Sequence, residues 1–276
     1  MVNSVKNWKE DRTERPGRRS AEPRREREPE DEGLLEGRNA VTEALKSGRT
    51  IDKIYIAAGD TDAGLTRLAA QAKAAGVVVV TADRKKLDQM SATHAHQGVI
   101  AQAAAHDYAT IDEMLALAES RGEAPLLVIC DELSDPHNLG AVLRSAECAG
   151  AHGVIIPKRR SVGLTAVVAK ASAGAIEYMK VARVSNISAT IRELKERGLW
   201  VFGTAADGAV PMYQADLKGP AALVIGNEGS GMSRIVAENC DVKISIPMKG
   251  QISSLNASAA ASILLYEAVR QRGAQL

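Results

Sequence analysis

Aromatic side chains are nearly absent from this chain: two tryptophans, five tyrosines and one phenylalanine make up 3% of its 276 residues. Proteins that hold single-stranded nucleic acid by stacking need rows of such rings, so a broad stacking platform is excluded. Cysteine is scarce too. Cys130, Cys148 and Cys240 are odd in number, far apart and without a C-x-x-C pair, which argues against a disulfide framework or a zinc site and fits a reducing compartment. No apolar run approaches the roughly 18 residues a membrane span requires, and the first residues lack the apolar core of a secretion signal. A cytoplasmic protein with neither a membrane nor a metal partner is the expectation. Net charge is only +1, so a generally basic coat is excluded and any contact with nucleic acid has to come from local patches.

The chain is 45% hydrophobic, and its length suffices for about two modest domains, each with its own core. Residues 1–32 stand apart, because arginines, acidic residues and prolines (ERPGRRSAEPRREREPEDE) leave almost nothing to bury; a disordered charged tail is expected. Glutamates interleave with its arginines and cancel most of the charge, which favours a solvated tail over an RNA-touching arm. Residues 33–105 read as a small α/β unit. Helices are expected over Gly37–Leu45 and Leu65–Ala75, strands over Ile51–Ala57, Val77–Thr81 and Gln97–Ala103, and Asp83 is placed to cap a short helix. His94 and His96 read as ordinary loop histidines. Residues 106–124, with one helical pattern from Ile111 to Ser120, read as a linker into a second domain at 125–276.

The second domain opens with an apolar strand, Leu126–Cys130, followed by DELSDPHNLGAVLRSAECAG, in which Asp135-Pro136 breaks the strand and Asn138 is placed to cap a helix. Arg144 follows six residues later. Two further apolar runs, Leu223–Ile225 and Val242–Ile246, each end in a loop of glycine, serine and small polar residues, the places where open α/β sheets carry ligands. Gly226, Gly229 and Gly231 let the backbone approach a ligand and present amide donors, with Glu228 in the same loop. The loop is neither of the familiar nucleotide loops. Its glycines run G-x-x-G-x-G, the reverse of the dinucleotide fingerprint, and Met232 stands where a P-loop needs lysine. Lys158, Arg159 and Arg160 form the clearest basic cluster of the globular part, and Arg38 and Asn39 open the first helix; all five are candidates for RNA contact, chiefly to phosphate. Ser172-Ala173-Gly174 would let another backbone come close.

Three separated stretches, DPHNLGAVLRSAECAG, LVIGNEGSGM and ISIPMKGQISSLNASAAASILLYEAVRQR, resemble the signature motifs of the SpoU/TrmH group of SPOUT methyltransferases. LLEGRNAVTEAL and HQGVIA resemble the L30e-like substrate-binding domain that accompanies its ribosomal RNA members. The resemblance covers nearly everything from Gly33 onward. It implies an α/β fold whose C-terminal domain carries a trefoil knot around a parallel sheet. It also implies S-adenosyl-L-methionine as methyl donor, bound by Thr204, Ala205, Gly226, Asn227, Ile246 and Leu255, and a homodimer with sites at the subunit interface. The implied reaction is 2'-O-methylation of a guanosine in the peptidyl-transferase region of 23S rRNA, with Asn138, Arg144, Glu228, Ser254 and Asn256 around the transfer site. Family practice often makes Arg144 the base. A guanidinium is a very weak acid and stays charged in proteins, so an Arg144 that lowers the energy of the alkoxide and holds phosphate is the sounder expectation. Methylation of tRNA guanosine, or a non-catalytic RNA-binding relic, are the alternatives.

Overall fold

The computed structural model describes residues 33–59, 62–91, 93–205, 209–227 and 229–273. The charged tail 1–32 and Glu228 lie outside the described residues.

Two sheets organise the chain. The first unit runs β1 (Leu34–Glu36), α1 (Arg38–Lys46), β2 (Ile51–Ala57), α2 (Ala63–Ala74), β3 (Val78–Ala82), α3 (Arg84–Met90) and β4 (Val99–Ala103). Its four-stranded sheet has the order β1-β4-β2-β3, with β2 and β3 parallel and β4 antiparallel to both of its neighbours. Short polar residues start its helices: Asp62 accepts from the amides of Gly64 and Leu65 at α2, and Asp83 from that of Lys86 at α3. Val41, Ile54, Leu65, Leu68 and Val99 fill the core on one side of the sheet.

The second unit contains α4 (Ile111–Arg121), β5 (Leu126–Cys130), α5 (Pro136–Cys148), β6 (Gly153–Pro157), α6 (Ala166–Ala171), β7 (Val181–Val184), α7 (Ile187–Glu196), β8 (Trp200–Thr204), β9 (Val210–Pro211), β10 (Ala221–Ile225), α8 (Arg234–Asn239), β11 (Val242–Ser245) and α9 (Ala257–Gln271). Its seven strands are all parallel, in the order β7-β6-β5-β10-β8-β11-β9. A parallel sheet covered on both faces needs strands apolar throughout, and β5 is LLVIC, buried at every position. Alternate residues go to opposite cores: Leu126, Val128 and Cys130 meet α5 and α9, while Leu127 and Ile129 join the cluster containing α4 and α7. The segment expected as a linker is thus built into the domain it leads to. α4 opens with a Thr110–Glu113 capping box, ends on left-handed Gly122, and buries Met114 against Gly153, where a β-carbon would sit 2.2 Å from the Met114 sulfur.

Two local expectations are corrected. Asp135, not Asn138, caps α5: its carboxylate accepts from the His137 amide and Pro136 takes the first helical turn, which draws Asn138 inside the helix and buries it. His96 is a structural residue with partners, its Nε2 2.9 Å from Asp88 Oδ1 and its Nδ1 accepting from the Gly98 amide. The small-residue stretch at 172–174 adjoins the close approach expected of it: a β-carbon on Gly140 of α5 would fall 2.5 Å from Ala171 Cβ and 2.9 Å from the Ser172 nitrogen.

Candidate functional site

Because all seven strands point the same way, the loops after β5, β6, β8, β10 and β11 share one edge of the sheet. The loop after β10 turns back at once. Asn227 and Gly231 pair through two backbone hydrogen bonds of 3.0 and 2.9 Å, and Gly226 lies so close to the returning strand that a β-carbon there would be 2.3 Å from the Met232 nitrogen. Only glycine permits that approach. The Asn227 side chain holds the loop from within: its Oδ1 accepts from the amides of Gly229 and Ser230, and its Nδ2 donates to the Glu132 carbonyl across the edge. Those two amides, expected to face a ligand, thus have a partner inside their own loop. The buried Asp131 ties the same region to β5, its Oδ2 accepting from the Ser233 amide at 2.7 Å.

These turns enclose a cavity of about 740 Å³, lined from the C-terminal ends of β8, β10 and β11 and from the start of α9. Thr204, Ala205, Gly226, Asn227, Ile246 and Leu255 all line it, and so does Ser254. Its size falls within the range of small-molecule sites, and its walls mix apolar side chains with backbone and hydroxyl groups, which suits a flat polar ligand with an aliphatic part. Lys243 is the only ionisable side chain among the described lining residues, so these walls provide alignment rather than acid–base chemistry. The neighbouring Cys240 thiol is raised by burial, and further by Asp241, to a pKa of about 11, which keeps it protonated and inert.

Asn256 stands at the cavity's rim. Its Oδ1 accepts from the amides of Ser258 and Ala259 and so caps α9, while its Nδ2 donates to Asn138 Oδ1 at 2.8 Å. The two asparagines lie 118 residues apart in sequence and meet here. Arg144 does not join them. Six residues on from Asn138 amounts to about 9 Å of rise and a different helix face; Arg144 is exposed and does not line the cavity.

The basic candidates divide. Lys158, Arg159 and Arg160 follow β6 on the edge that carries the cavity, and Arg160 pairs with Glu132 at 2.7 Å. Both partners have positive φ, 57° and 60°, a conformation non-glycine residues rarely hold, so the pair pins the loop. Through the Glu132 carbonyl it also touches Asn227. In the first unit Arg38 bonds Asp62 at 2.8 Å and the Gln97 carbonyl at 3.2 Å, while Asn39 is exposed. Asp131 and Glu132 are not among the sequence-derived candidates; two carboxylates directly after a wholly apolar strand mark the sheet edge, but only the partners they meet here give them a role. Among the described residues no cluster of His, Cys, Asp and Glu could hold a metal, and no helix is long and apolar enough to cross a membrane.

The all-parallel sheet with loops converging on a cavity defines an α/β domain with a ligand site at the C-terminal edge of its sheet, preceded by a smaller α/β unit. The chain belongs to the SpoU rRNA methylase family, which matches residues 125–266, and residues 34–109 match the RNA 2'-O ribose methyltransferase substrate-binding domain. Among its relatives, the Bacillus subtilis protein YacO, named as a TrmH family tRNA/rRNA methyltransferase, is 50% identical over 86% of this chain and 94% of its own. The 23S rRNA (guanosine-2'-O-)-methyltransferase RlmB of Ralstonia nicotianae is 48% identical over 87% of this chain and 96% of its own. The SpoU methyltransferase AviRb of Streptomyces viridochromogenes, solved with AdoMet, superposes with a TM-score of 0.55 at 25% identity, covering 88% of this chain and 92% of that one. An AdoMet-bound rRNA methyltransferase from Sinorhizobium meliloti gives 0.53 at 27%, covering 86% of each chain.

Proposed function

We propose that this chain transfers a methyl group from S-adenosyl-L-methionine to the ribose 2'-hydroxyl of a guanosine in 23S rRNA. One observation carries the reading: the loops after β8, β10 and β11 close on a cavity of about 740 Å³ lined by all six residues expected to hold the methyl donor. The family membership and the AdoMet carried by two structural neighbours support it. The trefoil threading of the C-terminal loops and a homodimer belong to the same proposal.

When bound, S-adenosylmethionine supplies a methyl group on a sulfonium, which needs no further activation. The chain's task is then alignment and management of the charge that develops on the ribose oxygen. The tight Gly226 turn, braced by Asn227 and Asp131, shapes one wall. Asn256, its amide fixed by α9 and by Asn138, presents a neutral polar group at the rim. Arg144, protonated, holds an RNA phosphate and lowers the energy of the alkoxide, with the proton leaving to that phosphate, to water or to Glu228. Its exposed position away from its own cavity suits a site completed by two copies. Lys158, Arg159 and Arg160 act as phosphate contacts on the same edge.

The test is transfer of labelled methyl from S-adenosylmethionine to unmethylated 23S rRNA fragments and, separately, to tRNA, with mapping of the modified nucleotide. A single methylated 23S guanosine is expected. Transfer to tRNA alone would reverse the substrate, and donor binding without transfer to either RNA would establish a relic.

A further inference from the structure

Away from the cavity, the two units meet through a buried charged junction. Asp52 on β2 is 1% exposed, and its Oδ1 accepts from Arg183 Nη1 of β7 at 2.7 Å and from the Tyr108 hydroxyl at 2.6 Å. Arg183 Nη2 donates to the carbonyls of both Asp52 and Lys158, so one guanidinium bonds backbone from each unit. That guanidinium also lies 5.4 Å from the centre of the Tyr108 ring. The Tyr108 oxygen in turn accepts from the Leu164 amide at 2.9 Å. Burial first, and then the Asp52 charge, push the Tyr108 phenol far above its usual range, so it stays a hydrogen-bond donor to the carboxylate at any working pH. Around this knot of side chains the seam is stitched by Ala105 N to Leu164 O, Ala109 N to Val181 O, and Lys53 Nζ to Ser161 O. Gly163 completes it: a β-carbon there would lie 2.1 Å from Asp52 Oδ2.

Such a pair is a poor device for stability alone. Two charges have left water, and the buried Asp52 Oδ2 and Arg183 Nε have no hydrogen-bond partner among the described residues. What it provides is direction. A guanidinium bonded to one carboxylate oxygen and to a backbone carbonyl of each unit, a hydroxyl and a zero-clearance glycine admit one relative orientation, whereas a greasy contact between small domains would allow sliding. Among the described residues the hydrophobic cores on either side are separate, so no shared apolar core locks the two units.

We propose that Asp52, Arg183, Tyr108 and Gly163 are positioning residues for methyl transfer: they hold the substrate-binding unit at one angle to the methyltransferase unit, so that RNA captured by the first arrives with its ribose at the cavity of the second. This rests on the function proposed above. Beside the junction, Lys53 of the first unit donates to the Ser161 carbonyl at 3.4 Å, which sets it against the loop that carries Lys158, Arg159 and Arg160. Fixing that alignment before binding removes an ordering cost that each encounter would otherwise carry.

The experiment uses the full chain with dyes on Cys148, exposed on α5, and on an Ala70→Cys change, exposed on α2. Energy transfer between the dyes reports the angle between the units without reference to activity. Asp52→Asn, Arg183→Met and the wedge variant Gly163→Ala, which leaves every polar group in place, are each expected to broaden or shift the distance distribution. Each is also expected to raise KM for RNA about tenfold or more, with Kd for S-adenosylmethionine within about twofold of the parent. Tyr108→Phe, the mildest change, falls between and serves if the others fold poorly. The Asp52→Asn/Arg183→Met double variant should be no worse than the worse single one. An unchanged distance distribution and KM, or donor affinity falling in step with KM, overturns the proposal. If the parent binds no donor at all, the assigned reaction fails, while the distance measurement still decides whether the seam is fixed.

Discussion

The cavity and the seam solve opposite problems with opposite chemistry. At the cavity, with Lys243 the one ionisable lining side chain among the described residues, the side chains that join its loops and rim across the longest distances are neutral, Asn227, Asn256 and Asn138, and each bonds backbone or another amide. At the seam they are charged and buried, Asp52 against Arg183, with side-chain exposures of 2% and 7%. A surface that must admit and release a ligand cannot keep an unpaired charge ready inside, so it is shaped by glycine turns and capped helices. A surface that must never open can hold an ion pair, because water does not re-enter to compete with it. Mobility and precision are therefore assigned to different places in one chain.

The harshest way to break this contrast is Arg183→Met. It strands the Asp52 carboxylate in the interior and should lower unfolding free energy by about 3–5 kcal/mol, read by urea titration; a change below about 1 kcal/mol would mean that water already reaches the seam. Next comes Gly226→Ala at the cavity. The added methyl collides with the Met232 nitrogen and forces the loop off its path, and a displacement of that kind costs about 100-fold in donor affinity or transfer, while the melting temperature moves little. Calorimetric titration with S-adenosylmethionine reads it. Asn256→Ala is gentler, removing the α9 cap for about 1 kcal/mol of stability along with the rim amide.

A pH test sharpens the comparison of buried groups. His152 is buried, accepts from the Leu126 amide through Nδ1, and has its pKa lowered chiefly by burial, in part opposed by Glu123. The unfolded chain takes up that proton near pH 6.5 and the folded chain only below it, so the stability due to neutral His152 is present above pH 6.5 and is lost as pH falls further. Melting temperature should drop between pH 7.5 and 5.5, and a His152→Asn variant should drop less. The smallest effect expected is that of Arg159→Ala, which leaves fold and donor binding alone and lowers the slope of log affinity for RNA against log salt by about 0.7–0.9.

Much of the architecture was legible before folding. β2 and β5 begin and end where the sequence reading places them; β5 is apolar throughout, as a strand buried on both faces has to be, while β2 carries Asp52 and Lys53 within its run. The Gly226 turn was legible as well, because closely spaced glycines after an apolar strand have few uses other than close backbone approach. The sequence offers both Asp135 and Asn138 near the start of α5, and the Asp-Pro step settles the cap on Asp135, because proline suits the first helical turn. Arg144 and Asn138 are both expected around the transfer site, but six residues of helix turn Arg144 to another face. Asp131 and Glu132 carry no signal of a role in the sequence, because a carboxylate after a strand gains its meaning only from the amide or cation it meets.

From its order of residues the chain determines the strands, most of the caps, the glycine turns and the family, because these depend on neighbours within a few positions and on patterns of burial. The tertiary structure alone decided that Asn256 meets Asn138 and that Asp52 meets Arg183 across 131 residues. A hydrogen bond between distant positions leaves no periodic trace: each partner taken singly is an ordinary surface polar residue, and only the packing of two sheets removes the water that made it so.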